Sequence, residues 1–329
     1  MFKNKTILIT GGTGSFGKAC AKFLLKNYNL KKLIIFSRDE LKQSEMSNSK
    51  DFLKYKNLRF FIGDIRDFDR LKMAFRNVDY IIHAAALKQV PTAEYNPIEC
   101  IKTNIIGAEN IINASIENNV KKVICLSTDK AVNPINLYGA SKLAADKLFQ
   151  AAKNLVGKSE PSFSIVRYGN VSGSRGSVIP FFLKLKEDNI NEFPITDLRM
   201  TRFWITLDEA VKFVLNAFKI SNPGEILVPK IPSIKIVDLV KAINSKGKIK
   251  VVGIRPGEKL HELLISDSEN NVTREEKNYY IVQPSFMNMK KISGSKKVSD
   301  GFAYSSLTNK KFLSVKEIKK LIKKNNSNV

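Results

Sequence analysis

A chain of 329 residues, 43% hydrophobic and 26% charged, can bury one large core or two modest ones and has the composition of an ordinary soluble globular protein. No apolar run approaches the roughly 18 residues a transmembrane helix needs, and Lys3 and Lys5 lead straight into a short strand instead of a signal peptide, so no membrane is expected and the cytoplasm is the expected location. The formal charge of +24 calls for an anionic partner, yet the lysines are scattered and no basic run is interleaved with aromatics, which sets nucleic acid aside in favour of a doubly charged nucleotide.

Thr6-Ile7-Leu8-Ile9-Thr10 suits a central strand. Gly11-Gly12-Thr13-Gly14-Ser15-Phe16-Gly17 follows at once, with Gly11, Gly14 and Gly17 in G-x-x-G-x-x-G spacing ahead of a helix over 16–25. Such glycines let a tight turn bring backbone amides close to a pyrophosphate at a helix amino terminus. A second strand over 32–36 ends in Ser37-Arg38, where an Asp or Glu would bind the 2′-hydroxyl of NAD. Arg38 can instead stack on adenine and pair with a 2′-phosphate, and Lys42 stands one turn further on. NADP is therefore expected, the alternative being NAD with Asp39 or Glu40 turned inward.

A third strand over 58–65 places Asp64 to accept a hydrogen bond from the adenine amino group, and a fourth ending over 81–86 offers small residues against which a cofactor can lie. His83, within that strand, reads as a core histidine. A helix over 97–118 should cover the sheet, and its Thr103 and Asn104 need polar partners. After a strand over 122–126 comes Ser127-Thr128-Asp129-Lys130-Ala131, at a strand's carboxyl end, where open α/β sheets bind ligands. Tyr138 and Lys142 then share one face of a helix expected over 138–154. A neighbouring ammonium favours phenolate and lowers a tyrosine towards neutrality, as a base at physiological pH requires. The bland alternative is a chance pairing on an amphipathic helix.

Strand and helix alternate throughout this half, so the fold class is α/β, a Rossmann-like doubly wound parallel sheet. After a strand over 163–167 the pattern changes to loops, short strands and shorter helices. An NADP-binding domain is expected over 1–169, and a smaller α/β substrate-binding part with a carboxyl-terminal helix over 170–329. In the latter, Thr206-Leu207-Asp208-Glu209 is a capping box opening a helix to about 218. Arg199, Arg202 and Arg255 suit fork-like recognition of a diphosphate, with surface pairing as the alternative. The stretch 290–300 reads as a mobile connection before a basic terminal helix and a frayed tail. Cys20, Cys100 and Cys125 have no metal-ligand spacing and read as buried thiols of a reducing compartment, so neither a metal nor a disulfide is expected.

With these features in place, the chain resembles the extended short-chain dehydrogenase/reductase family of nucleotide-sugar enzymes. Ser37-Arg38-Asp39-Glu40-Leu41-Lys42, Ala93-Glu94-Tyr95-Asn96-Pro97, Ser127-Thr128-Asp129-Lys130-Ala131, Arg167-Tyr168-Gly169-Asn170-Val171, Met200-Thr201-Arg202-Phe203-Trp204 and Arg255-Pro256-Gly257-Glu258-Lys259-Leu260-His261-Glu262 narrow the likeness. Together they look like the inverting UDP-N-acetylglucosamine 4,6-dehydratases that begin pseudaminic acid synthesis, over nearly the whole chain. Starting directly at its first strand, the chain looks like the short soluble form rather than the membrane-anchored relatives with extra amino-terminal helices.

The resemblance implies that Tyr138, assisted by Lys142 and Thr128, takes the proton from the hydroxyl on carbon 4 while NADP+ takes the hydride. Lys130 would then remove the proton on carbon 5 and Asp129 would protonate the departing hydroxyl on carbon 6. A base at Lys130 requires a depressed pKa, expected from Lys142, Lys88 or the nicotinamide; the bland alternative is a counter-ion for Asp129. Carried over by motif, the cofactor contacts are Gly11, Thr13, Gly14, Ser15, Phe16, Gly17, Ser37, Arg38, Lys42, Asp64, Ile65, Ala84, Ala86, Lys88, Thr103, Tyr138, Lys142 and Val171. Substrate contacts are Lys88, Asn170, Val178, Ile179, Pro180, Phe181, Phe182, Leu183, Thr196, Arg202, Arg255 and Glu258. Gln89 departs from the usual His and bears on the outcome at carbon 5; Ser172 replaces a usual Val. The implied partner is UDP-N-acetylglucosamine and the implied assembly a homo-oligomer, hexamer or dimer. A UDP-sugar 4-epimerase, which needs no Asp-Lys pair, and a non-catalytic NADP-binding regulator are the alternatives.

Overall fold

The first strand, β1 (Thr6–Thr10), is buried at every position, and a strand covered on both faces reads as a continuous apolar run for that reason. The computed structural model describes residues 1–156, 160–173, 177–286 and 294–326. After β1 come α1 (Ser15–Asn27), β2 (Lys32–Ser37), α2 (Glu40–Ser47), β3 (Leu58–Ile62), α3 (Phe68–Ala74) and β4 (Tyr80–His83). Next are α4 (Val90–Tyr95), α5 (Pro97–Ile101), a π-helical turn (Lys102–Ile106), α6 (Gly107–Glu117), β5 (Lys122–Thr128), a 3₁₀ turn (Asp129–Ala131), α7 (Leu137–Val156) and β6 (Ser162–Tyr168). These six strands are parallel and lie in the order β3-β2-β1-β4-β5-β6. Strand order reverses between β1 and β4, which opens a crevice at their carboxyl ends.

The second half supplies β7 (Asn170–Val171), α8 (Val178–Glu187), β8 (Glu192–Ile195), β9 (Thr201–Ile205), α9 (Leu207–Ile220), β10 (Ile226–Pro229), β11 (Ser233–Lys235), α10 (Ile236–Ile243) and β12 (Lys248–Val251). It closes with β13 (Leu263–Ile265), β14 (Thr273–Glu275), β15 (Tyr279–Val282), β16 (Lys296–Lys297), β17 (Tyr304–Ser305) and α11 (Val315–Asn326). The main sheet does not stop at β6: β10 adds parallel to it, and β15, β14 and β16 extend the edge antiparallel. Helix α9, opened by the expected capping box of Thr206 and Glu209, also covers this sheet. Its Phe218 meets Phe2 edge-on at 5.5 Å, and Phe2 meets Tyr28 at 5.2 Å and Tyr80 at 5.7 Å. The first core therefore continues past residue 169 and takes in Phe203, Val214 and Leu227. A smaller second core gathers Ile179, Phe182, Phe193, Trp204, Leu239 and Ile318 from α8, β8, β9, α10 and α11.

Three elements differ from the sequence reading. The third strand stops at Ile62, because Gly63 turns the chain against Phe36, where a Cβ would stand 2.6 Å from the ring. The helix expected over 97–118 is broken by the π turn, which carries Thr103 and Asn104 into the interior. Within the stretch expected as a connection, 287–293 lies outside the described residues, but Lys296–Lys297 pairs with Arg274 and Glu275 as an edge strand; backbone pairing needs no side-chain pattern. The frayed tail over 327–329 also lies outside them. Among the described residues no helix is long and apolar enough to cross a membrane, and no group of His, Cys, Asp and Glu could hold a metal. The three cysteines are free and buried, with burial pushing Cys125 up to about 12. His83 is buried against Thr10, and burial lowers it to about 3.

Candidate active site

The crevice over β1 and β4 is a cavity of about 840 Å³. The glycine loop forms one wall: Gly11 has φ +64°, and a Cβ there would stand 2.9 Å from the Ala85 backbone, so only glycine lets the two loops close on each other. Every residue expected to contact a dinucleotide lies on this cavity's surface. Asp39 caps α2, accepting from the Lys42 backbone amide at 3.0 Å and pairing with the Lys42 ammonium. It thus serves its own helix, which leaves the Arg38 guanidinium, 56% exposed and 3.7 Å from Asp64, as the charge at the end of β2. Asp64 accepts from the Arg66 backbone amide at 3.0 Å and from its guanidinium at 2.7 Å. Burial alone would raise Asp64; Arg66 and Arg38 outweigh it and hold the carboxyl below its usual range. Thr103 Oγ1 is buried at the same wall with no hydrogen-bond partner among the described residues, a polar atom that a bound ligand can satisfy.

At the far end, β5 runs into the 3₁₀ turn that carries Asp129 and Lys130. The Thr128 hydroxyl accepts from the Lys130 amide at 3.3 Å and donates to Asp129 Oδ1 at 2.9 Å. Lys130 Nζ lies 3.0 Å from Asp129 Oδ1 and 3.3 Å from Glu262 Oε1. Both carboxylates are buried, Asp129 at 1% exposure and Glu262 at 2%. The depressed pKa expected of Lys130 is not found: burial lowers it, but Asp129 and Glu262 outweigh burial and hold the ammonium above its ordinary range. Burial and the Glu262 charge leave Asp129 raised, against the pull of Lys130.

Tyr138 and Lys142 stand one turn apart on α7, and Lys142 Nζ donates to the Leu126 carbonyl at 2.7 Å. Lys142 and Lys130 both pull Tyr138 down, but burial is the larger effect and raises it, so the expected net lowering is absent. One further turn along, buried Asp146 accepts from Ser127 Oγ at 2.7 Å and meets Arg167 at 3.3 Å, which reaches Glu269 at 3.0 Å. This chain of charges fixes α7 against β5 and β6 behind the cleft.

Residues 7–284 match the family described as polysaccharide biosynthesis protein. Over 331 residues the chain is 56% identical to a UDP-N-acetylglucosamine 4,6-dehydratase (inverting) of Campylobacter jejuni, with 98% of each chain covered. The chain belongs to this dehydratase family. At a greater distance, 44% over 333 residues, with 98% and 96% covered, stands a UDP-glucose 4-epimerase of Rickettsia bellii. Among solved structures, the X-ray structure of Pen from Bacillus thuringiensis superposes with a TM-score of 0.91 at 38% identity, over 99% of each chain.

In this member of the dehydratase family the residues expected at the substrate divide in two. Lys88, Asn170 and Glu258 line the cleft, and burial lowers Lys88. Val178, Ile179, Pro180, Phe181, Phe182, Leu183, Thr196, Arg202 and Arg255 are not among the described residues that line it. Helical periodicity explains the segment: Ile179 and Phe182 face the second core, whereas Phe181, 47% exposed, points away from it. Thr196 Oγ1 donates to Met200 Sδ at 3.2 Å. Arg202 is buried between Glu258, at 3.3 Å, and Glu262, at 3.8 Å, while Arg199 pairs with Asp197 at 2.8 Å on the surface. The Arg255–Glu262 stretch acts as a clasp on the turn after β5: Lys259 Nζ donates to the Val132 carbonyl at 2.6 Å, and Asn136 Nδ2 to the Gly257 carbonyl at 2.7 Å. Sequence reasoning gave no role to Glu262, Lys259 or Asn136; the signal for the first two was the concentration of charge in Arg255-Pro256-Gly257-Glu258-Lys259-Leu260-His261-Glu262.

Proposed function

We propose that the chain is an NADP-dependent UDP-N-acetylglucosamine 4,6-dehydratase that inverts carbon 5, giving UDP-2-acetamido-2,6-dideoxy-β-L-arabino-hex-4-ulose. The observation that carries this reading is the ion pair of buried Asp129 and part-exposed Lys130 sharing one cleft with Tyr138 and Lys142. An epimerase needs the second pair alone; expulsion of water needs both. A bound nicotinamide cofactor supplies the acceptor, and later the donor, of one hydride. The cleft residues fit such a group, with the glycine loop at a pyrophosphate and Arg38 near a 2′-phosphate.

Tyr138 takes the proton of the hydroxyl on carbon 4, the Lys142 and Lys130 charges offsetting part of the burial that disfavours its phenolate. The resulting ketone acidifies the proton on carbon 5. Lys130, 25% exposed, first releases its ammonium proton to solvent and, as the amine, takes that one, while Asp129 gives a proton to the oxygen on carbon 6, which leaves as water. Carbon 5 is then reprotonated on the opposite face. In the same reading Asp64, Ile65, Ala84, Ala86, Thr103 and Val171 hold the cofactor, Lys88, Asn170 and Glu258 hold the nucleotide sugar, and the part after 169 recognises it. The enzyme acts in the cytoplasm as a homo-oligomer, opening pseudaminic acid synthesis for flagellin glycosylation.

Incubation with UDP-N-acetylglucosamine in deuterated water tests this reading. The product should have lost one water and carry deuterium on carbon 5 by proton NMR; an unchanged backbone mass would make the chain an epimerase instead.

A further inference from the structure

Glu262 ends the clasp that holds the turn after β5, and nothing in the reaction scheme above uses it. Its backbone is tied on both sides: its amide donates to Ser306 Oγ at 2.9 Å, and the Ser306 amide donates to its carbonyl at 2.8 Å. The carboxylate is thereby held 3.3 Å from Lys130, across the ammonium from Asp129 at 3.0 Å. Among the described residues Lys130 is the only cation within 4 Å of Asp129, and it is shared with Glu262, which also has Arg202 at 3.8 Å. A second uncompensated negative charge is costly at this burial, so one carboxyl keeps a proton.

The surroundings decide which. Glu262 is faced by Lys130 from the 3₁₀ turn, by Arg202 of β9 at 3.8 Å and by Lys259 of the preceding loop, and these cations hold it below its usual range although burial alone would raise it. Asp129 is faced by Lys130 and the Thr128 hydroxyl at 2.9 Å and more remotely by Lys259 and Tyr138; one oxygen of each carboxyl, Asp129 Oδ2 and Glu262 Oε2, is buried with no partner among the described residues, so the count of facing cations is what separates the two. Glu258, the remaining acid, is engaged by Arg202 at 3.3 Å.

We propose that Glu262 is a positioning residue that takes the ionised share of the Lys130 ion pair, so that Asp129 keeps the proton required at carbon 6. When the oxygen on carbon 6 departs, the O–H bond of Asp129 breaks and a new one forms on that oxygen. The C–O electron pair leaves with water, and Asp129 remains as a carboxylate beside Lys130. This assignment rests on the reading of Asp129 as the acid given above.

Glu262→Gln keeps the shape and removes the charge. Lys130 then compensates Asp129, which becomes the ionised partner. Water loss at neutral pH should fall about tenfold for each unit by which the Asp129 pKa drops, and its pH profile should move to lower pH with activity recovering there. Oxidation at carbon 4, which uses Tyr138 and Lys142, should keep its rate, and Glu262→Asp should restore much of the original profile. A slower enzyme with an unmoved profile overturns the proposal, as does an unchanged rate. Infrared spectroscopy of the unaltered protein gives a second reading that does not depend on the variant folding. A protonated carboxylic acid band that disappears in Asp129→Asn is expected, and its absence, or its survival in Asp129→Asn, overturns the assignment. If the unaltered protein expels no water from the nucleotide sugar, the reaction reading fails, while the infrared band still decides where the proton sits.

Discussion

Lys130 shows how far a side chain's chemistry depends on neighbours distant in sequence. Next to Asp129 in the chain it reads as a base with a counter-ion, and the structure adds Glu262, Arg202 and Lys259 around it. Its ammonium is stabilised, so the base proposed for carbon 5 has to hand on a proton as well as receive one. Lys130→Ala should permit oxidation at carbon 4 yet reduce elimination by the roughly 10²–10⁴-fold that a general base contributes. Rapid-mixing absorbance at the nicotinamide band, set against product mass, separates the two half-reactions; full turnover in that variant would remove Lys130 from the scheme. Tyr138 teaches the same lesson, since its spacing to Lys142 is visible in the sequence whereas the burial that opposes the lysine is not.

The π turn between α5 and α6 shows what an element can hide. Periodicity over 97–118 reads as one helix because apolar spacing continues through it, but Thr103 and Asn104 are pulled inward. Asn104 binds both backbone groups of Leu87, accepting from its amide at 2.8 Å and donating to its carbonyl at 2.9 Å, and it also donates to Ser141 Oγ at 2.9 Å on α7. It therefore fixes the loop that presents Lys88 to the cleft, and a π turn at a functional site fits that task. Asn104→Leu should cost about 1–3 kcal/mol by leaving buried backbone groups unpaired, read as a lower denaturant midpoint, together with a raised KM for the nucleotide sugar. A midpoint equal to that of the unaltered protein would show that these bonds contribute nothing net. In α8 the run Val178 to Leu183 is continuous in the sequence, whereas a helix gives only some of its residues to any one side.

Across the whole molecule, charge and topology act together. With a net charge of +24, the field attracts a doubly negative nucleotide sugar, and added salt screens it over a Debye length of about 10 Å at 0.1 M. KM should rise with ionic strength while kcat stays nearly constant; a KM insensitive to salt would show that the field plays no part in capture. The main sheet takes strands from both halves of the chain, which lets β9 and the clasp before β13 reach the turn after β5.

Much was determined by the sequence alone: the alternation of strand and helix, the glycine loop, and the Thr128, Asp129, Lys130, Tyr138 and Lys142 constellation all depend on spacings within a few residues of each other. Only the tertiary structure decided which charges surround Lys130, the place of Arg202 and the position of Glu262. Those depend on burial and on charges brought within about 4 Å by chain segments more than fifty residues apart. Local pattern carries no information about such distances, because Coulombic and desolvation effects are set by position in space and not by order along the chain.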